Sequence, residues 1–164
     1  MKRLMFALTL AALPMVANAD DTTIGSWQFS SEQSAFKEGA STTIAFTRDG
    51  GTAVALRCLQ GDLSIAISDG GGILRTGPYT PGETAQIKFR VGVGEIVERS
   101  ATAINDSALQ IDDVADLIRQ IGLSTNFAFQ LTRHGIQSEH SFHTRGNGKV
   151  ADKILKSCAD GPPA

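Results

Sequence analysis

Apolar side chains recur at every second position over much of the chain. Ile44 and Phe46 alternate with Thr43, Ala45 and Thr47; Val54, Leu56 and Cys58 with Ala55 and Arg57; Leu63, Ile65 and Ile67 with Ser64 and Ala66. A period of two sends alternate side chains to opposite faces of a strand, so each run predicts a half-buried strand with its apolar members inward. Arg48-Asp49-Gly50-Gly51 and Gln60-Gly61 are turn sequences that join these strands into an antiparallel meander. Further on, Ile87, Phe89 and Val91 alternate with Lys88 and Arg90, and Gly92-Val93-Gly94 turns the chain toward Glu95 to Arg99, which predicts a second hairpin. Phe127, Phe129 and Leu131 form another inward row, and His140 to Thr144 is placed to pair with it across a turn near Gly135.

The period lengthens in two places. Val114, Leu117, Ile118 and Ile121 follow helical spacing, with Asp112 and Asp113 placed to favour the start and Gly122 to end the helix. After Asn147-Gly148, the residues Val150, Ala151, Ile154, Leu155 and Cys158 share one helical face, so Cys158 should point at the sheet.

The first residues bear on location. Lys2 and Arg3 precede an apolar run from Leu4 to Val16, and Ala17-Asn18-Ala19 supplies the small residues a signal peptidase requires. Residues 1–19 therefore read as a cleaved signal peptide, with one mature domain, 20–164, in the periplasm of a Gram-negative cell or secreted. The apolar run is shorter than the roughly 20 residues that cross a bilayer, so no membrane insertion is expected. No cysteine stands at the cleavage point to carry a lipid. In an oxidising compartment the two cysteines, Cys58 and Cys158, are expected to be bonded; two buried free thiols are the alternative.

Cleavage of 19 from 164 residues leaves 145, enough for one domain with a real core. It also removes two of the 15 basic residues and none of the 17 acidic ones, for a net charge of −4. That balance argues against nucleic acid or an anionic membrane as principal partner.

The residues with chemical potential are scattered. His134, His140 and His143 match no metal-ligand spacing, and strand alternation puts His140 and His143 on opposite faces. They read as surface histidines, with no metal or cofactor implied. No Gly-x-Ser-x-Gly elbow occurs, and Asp69-Gly70-Gly71-Gly72 lacks the Gly-Lys-Ser/Thr ending of a phosphate loop. The latter reads as part of a long flexible loop, Asp69 to Pro81, which offers Arg75 and Tyr79 as contact residues. Arg57 and Arg90 lie within apolar strands and should stand on the outer face. Were their strands neighbours, they would form a basic patch with Arg48 and Lys88 nearby, ordinary solvated charges being the alternative. Trp27 is either a core anchor or an exposed aromatic contact.

A Trp near the mature start in Gly25-Ser26-Trp27, the strand Ala55-Leu56-Arg57-Cys58, then Leu63-Ser64-Ile65-Ala66-Ile67, Lys88-Phe89-Arg90-Val91, a helix, an aromatic strand and a last helix closing on Cys158 together resemble the VasI or TagO family. Those are small periplasmic proteins associated with type VI secretion. The likeness runs from Trp27 to Cys158 and departs after Val91, where a second Trp is common in the family and Glu95-Ile96-Val97-Glu98 stands here. Invasion-associated protein B is a weaker likeness, sharing export, an early Trp and a disulfide. The resemblance implies an accessory or binding role, and no catalytic residue carries over.

The expected fold is thus mainly β (α+β): an antiparallel, β-sandwich-like domain with two short helices, the C-terminal one pinned by a disulfide. The expected function is non-catalytic binding of an envelope protein. An exported hydrolase or a small-ligand-binding protein is the alternative.

Overall fold

The computed structural model describes residues 22–33 and 41–159, so the expected signal peptide and cleavage point lie outside the described residues. Five strands come first: β1 (Thr22–Ile24), β2 (Trp27–Gln33), β3 (Ser41–Asp49), β4 (Thr52–Leu59) and β5 (Asp62–Asp69). Helix α1 (Gly70–Thr76) leads to β6 (Thr84–Val91), β7 (Ile96–Ala103) and β8 (Leu109–Ile111). Helix α2 (Ala115–Gly122), β9 (Asn126–Arg133), β10 (Ile136–His143) and helix α3 (Asn147–Ala159) complete the fold.

All ten strands join one sheet in the order β1-β2-β3-β4-β5-β8-β7-β6-β9-β10, with every neighbouring pair antiparallel. The hairpins expected from turn chemistry all form. The sheet also curls. Trp27 of β2 stacks on Phe127 of β9 at 6.3 Å between centroids, and Phe127 stacks on Phe142 of β10 at 5.0 Å. Strands from opposite ends of the order thus share one core, and the two halves face one another as in a sandwich. Val54, Leu56, Ile65, Ile67, Ile87, Phe89 and Phe129 fill it, as their alternation requires. Burying each such side chain contributes about 1.5–3 kcal/mol.

Helix α3 lays Val150, Ala151 and Ile154 into this core. Cys158 on the same face is bonded to Cys58 of β4, with a Cα–Cα distance of 5.6 Å. The indole of Trp27 is fully buried and its Nε1–H donates to Asn147 Oδ1 at 2.8 Å, which makes it a core anchor rather than a surface contact.

The structure corrects four expectations. First, β3 turns its other face inward: Thr43, Ala45 and Thr47 are buried, while Ile44 and Phe46 are half-exposed outside. Ala45 is in register with Phe29 on one side and Leu56 on the other, so only a small side chain fits between them. The threonine hydroxyls find partners, Thr43 with Ser31 Oγ and Thr47 donating to the carbonyl of Ser26. Outside, the Arg48 guanidinium covers the Phe46 ring at 5.1 Å.

Second, the glycine run after Asp69 is a helix, α1, rather than an irregular loop, so there are three helices among the described residues. Asp69 caps it by accepting the Gly72 N–H at 2.8 Å. A Cβ on Gly72 would lie 2.3 Å from that carboxylate, so this glycine is what lets the cap close.

Third, β4 and β6 are separated by β5, β8 and β7, so Arg57 and Arg90 share no patch. Fourth, α2 has Val114 at its N-cap with no side-chain bond, and Asp113 instead adopts φ 53° in the turn before it.

Candidate functional site

A cluster of buried polar residues sits at one end of the curled sheet. Thr52 and Asp69 are in register on β4 and β5, both inward. Strand β10 brings Ser138 and His140 to them from the other half, since its inward row runs Ser138, His140, Phe142. The Ser138 hydroxyl donates to Asp69 Oδ2, His140 Nε2 lies 3.1 Å from Asp69 Oδ1, and His140 Nδ1 lies 3.2 Å from Thr52 Oγ1. Nε2 faces the carboxylate without hydrogen-bond alignment. Burial alone would raise the Asp69 carboxyl. The donors Ser138 and Gly72, with the His140 ring, outweigh it and hold the pKa below its ordinary value.

A hydroxyl, an imidazole and a carboxylate in sequence have the order of a hydrolytic triad. Accessibility decides against that use. Thr52, which would have to be the nucleophile, is only 3% exposed, so its hydroxyl is closed to a substrate. The cluster ties β10, an edge strand, to β4 and β5 in the other half, where no strand ladder does so.

Next to it, Arg133 ends the inward row of β9 and is 6% exposed. Its guanidinium forks onto Glu83 at 2.7 and 2.9 Å and donates to the Thr76 hydroxyl and to the carbonyls of Gly77 and Pro78. Its face stacks on Tyr79, 4.5 Å from the ring centroid. These bonds hold Glu83 down to a pKa of about 2, and burial pushes the Tyr79 phenol up to about 12. Tyr79, expected as a loop contact, is therefore a buried part of this clasp at 4% exposure. Arg75, in the last turn of α1, is exposed as expected.

Of the histidines, His134 is exposed beside Glu83 at 3.3 Å and His143 is exposed, whereas His140 is half-buried, its side chain 22% exposed and its Nε2 turned toward Asp69. Among the described residues no three His, Cys, Asp or Glu side chains converge as metal ligands. Arg57 is on the outer face but is tied to Ser64 Oγ at 3.1 Å and to Gln110, so it braces β4, β5 and β8. Alternation alone could have found Arg133, since Phe127, Phe129, Leu131 and Arg133 form one row. Nothing local could have joined Asp69 to Ser138.

Outside the sheet, Arg90 stands free of any ion pair among the described residues. It lines a shallow concavity of about 240 Å³ with Lys88, Ile96, Ala128, Gln130 and Glu139. Ala128, in register with Arg90, leaves the gap, and Lys88 is paired with Glu98 at 3.1 Å across β6 and β7. The concavity is open, amphipathic and carried on strands, which suits contact with a partner surface.

Comparison of the chain with family models, with curated proteins and with solved structures gave no match in any of the three. Among the described residues no helix is long and apolar enough to cross a membrane.

Proposed function

We propose that the chain is an exported accessory domain of the bacterial envelope that acts by binding another envelope protein, as the likeness to the VasI or TagO family implies, and that it serves a type VI secretion apparatus. The observation that carries a binding role is the outer concavity lined by Arg90, a cation without an ion pair among the described residues, beside Ile96, Gln130 and Glu139 on the sheet. The Cys58–Cys158 bond supports an oxidising compartment. The interior Asp69–Ser138–His140 cluster supports a structural rather than a catalytic use of those groups, because each is spent on another part of the same chain.

Chemical crosslinking in intact cells, followed by identification of captured proteins, tests this reading. Capture of one envelope protein by the parent chain, lost on Arg90→Glu with the fold intact, is the expected outcome. Equal capture by both chains would remove Arg90 from the contact. Arg57 is unsuitable for this test because of its bracing role.

A further inference from the structure

Strand β10 ends the sheet order, and its side away from β9 carries no further strand. The turn His134-Gly135, with φ 49° and 75°, is of the two-residue hairpin type that makes Arg133 and Ile136 a doubly hydrogen-bonded pair. Ile136, Ser138, His140 and Phe142 therefore spend their N–H and C=O groups on β9, and the Thr144 N–H continues the series to the Thr125 carbonyl at 2.8 Å. The residues between them turn theirs the other way. Arg145 shows the direction: its carbonyl accepts from the Ser26 N–H at 3.0 Å, and its own N–H donates to Ser26 Oγ at 3.0 Å. Gln137, Glu139, Ser141 and His143 have no such neighbour. Among the described residues nothing pairs with the outward N–H and C=O groups of these four, and all four are exposed.

An edge of this kind is ordinarily guarded by a lysine, a proline, a bulge or sheer shortness. Over Ile136–His143 there is neither lysine nor proline, and the eight residues keep unbroken register with β9. At the other end of the order β1 has only three residues.

The open edge is also complementary to itself. A second β10 laid antiparallel about a two-fold axis at His140 sets Gln137 opposite His143 and Glu139 opposite Ser141. Every outward N–H and C=O of both strands then finds a partner, whereas a shift of two residues in either direction leaves some unmatched. Charge favours the same register. Each Glu139 meets an uncharged serine, with His143 of the other strand at the next outward position, and the two Glu139 side chains stand diagonal rather than opposite. Beyond Ser141, in the same cross-strand row, lie the small Ala128 and then Arg90, so the incoming carboxylate approaches a cation that has no ion pair among the described residues.

We infer that β10 is a self-association edge, through which two copies of this chain join antiparallel into one continuous sheet. The contact borders the Arg90 concavity at Glu139 and does not rest on the binding role proposed there.

The test is sedimentation equilibrium of the mature protein from the micromolar to the millimolar range, with amide hydrogen exchange on isotope-labelled protein at both limits. A dimer is expected. The Gln137, Glu139, Ser141 and His143 amides should be protected only at the high concentration, and those of Ser138, His140 and Phe142 at both. Ser141→Pro removes a donor that β9 does not use and should weaken the dimer about tenfold, since one bond is lost on each side of the axis. Ser141→Glu, facing Glu139 of the second copy, should weaken it about threefold or more, whereas Ser141→Lys should hold or strengthen it. Native Trp27 emission checks that each variant is folded. A parent that stays monomeric throughout, a dimer without protection at Gln137, Glu139, Ser141 and His143, or equal effects of the Glu and Lys substitutions overturns the proposal.

Discussion

Asp69 and His140 lie 71 positions apart in the chain, yet Asp69 Oδ1 stands 3.1 Å from His140 Nε2 inside the closed end of the sheet. Between their strands there is no ladder of backbone hydrogen bonds. Side chains close the seam instead, with Ser138 and Thr52 on either side. A carboxylate held ionised in such a place makes stability depend on acid.

The Asp69 and Glu83 carboxyls both have folded-state pKa values below their ordinary ones, Glu83 at about 2. Their contribution is fully present above the unfolded-chain value near 4 and is lost as pH falls through the folded values. Urea midpoints should therefore be lower at pH 2.5 than at pH 5. Ser138→Ala should cost about 1–3 kcal/mol at neutral pH, by leaving Asp69 short of a donor. A midpoint unchanged between those pH values would refute the account.

Arg133→Met should destabilise the chain by on the order of 3 kcal/mol, since it strands the Glu83 carboxylate and three backbone or hydroxyl acceptors. Arg133→Lys should recover little, because an ammonium cannot make the two-pronged contact with Glu83. Equilibrium denaturation of the two variants, compared with the parent, decides it.

Arg57→Glu and Arg90→Glu should differ sharply. The first breaks the bonds to Ser64 and Gln110 and places a carboxylate in reach of Asp112, for a loss of about 1–2 kcal/mol. The second alters an exposed side chain and should stay within about 0.5 kcal/mol of the parent. Thermal midpoints measured side by side would show whether the two arginines have these distinct roles.

Reduction of the Cys58–Cys158 bond releases a loop with a sequence separation of 100. The chain-entropy limit for such a loop is about 4.7 kcal/mol, less any strain. Cys58→Ala and Cys158→Ala should each lose much of this, and the double variant should lose little more than the worse single one. Losses that simply add would contradict a shared bond.

Much of the sheet was readable because its strands obey a simple rule, apolar in and polar out, from Val54 to Ile67 and again from Ile87 to Leu131. The pairing of Cys58 with Cys158 was readable from the oxidising compartment that residues 1–19 lead one to expect and from the helical face that carries Cys158. Strand β3 broke the rule, since room beside Phe29 and Leu56 mattered more there than hydropathy, and Ala45 won over Phe46. Helix α1 was hidden by three consecutive glycines, which speak for a loop until the Asp69 cap is seen. The Asp69, Ser138 and His140 cluster and the Arg133 clasp both depend on how the sheet curls. No short-range pattern encodes that curl.

The order of the strands also sets the order in which the molecule can come together and come apart. Hairpins such as β3–β4, β4–β5 and β9–β10 join near neighbours in the chain and can form early. Contacts across the seam, such as Trp27 to Asn147 at a separation of 120, require nearly the whole chain to be in place. Closure is then a late event in folding. Because side chains alone bridge the Asp69 end, parting there breaks no strand ladder, and a partial opening along that line is the lowest-cost excursion from the native state. The Thr52 and His140 side chains would meet solvent in that excursion while the amides of the β4–β5 and β9–β10 ladders stay paired.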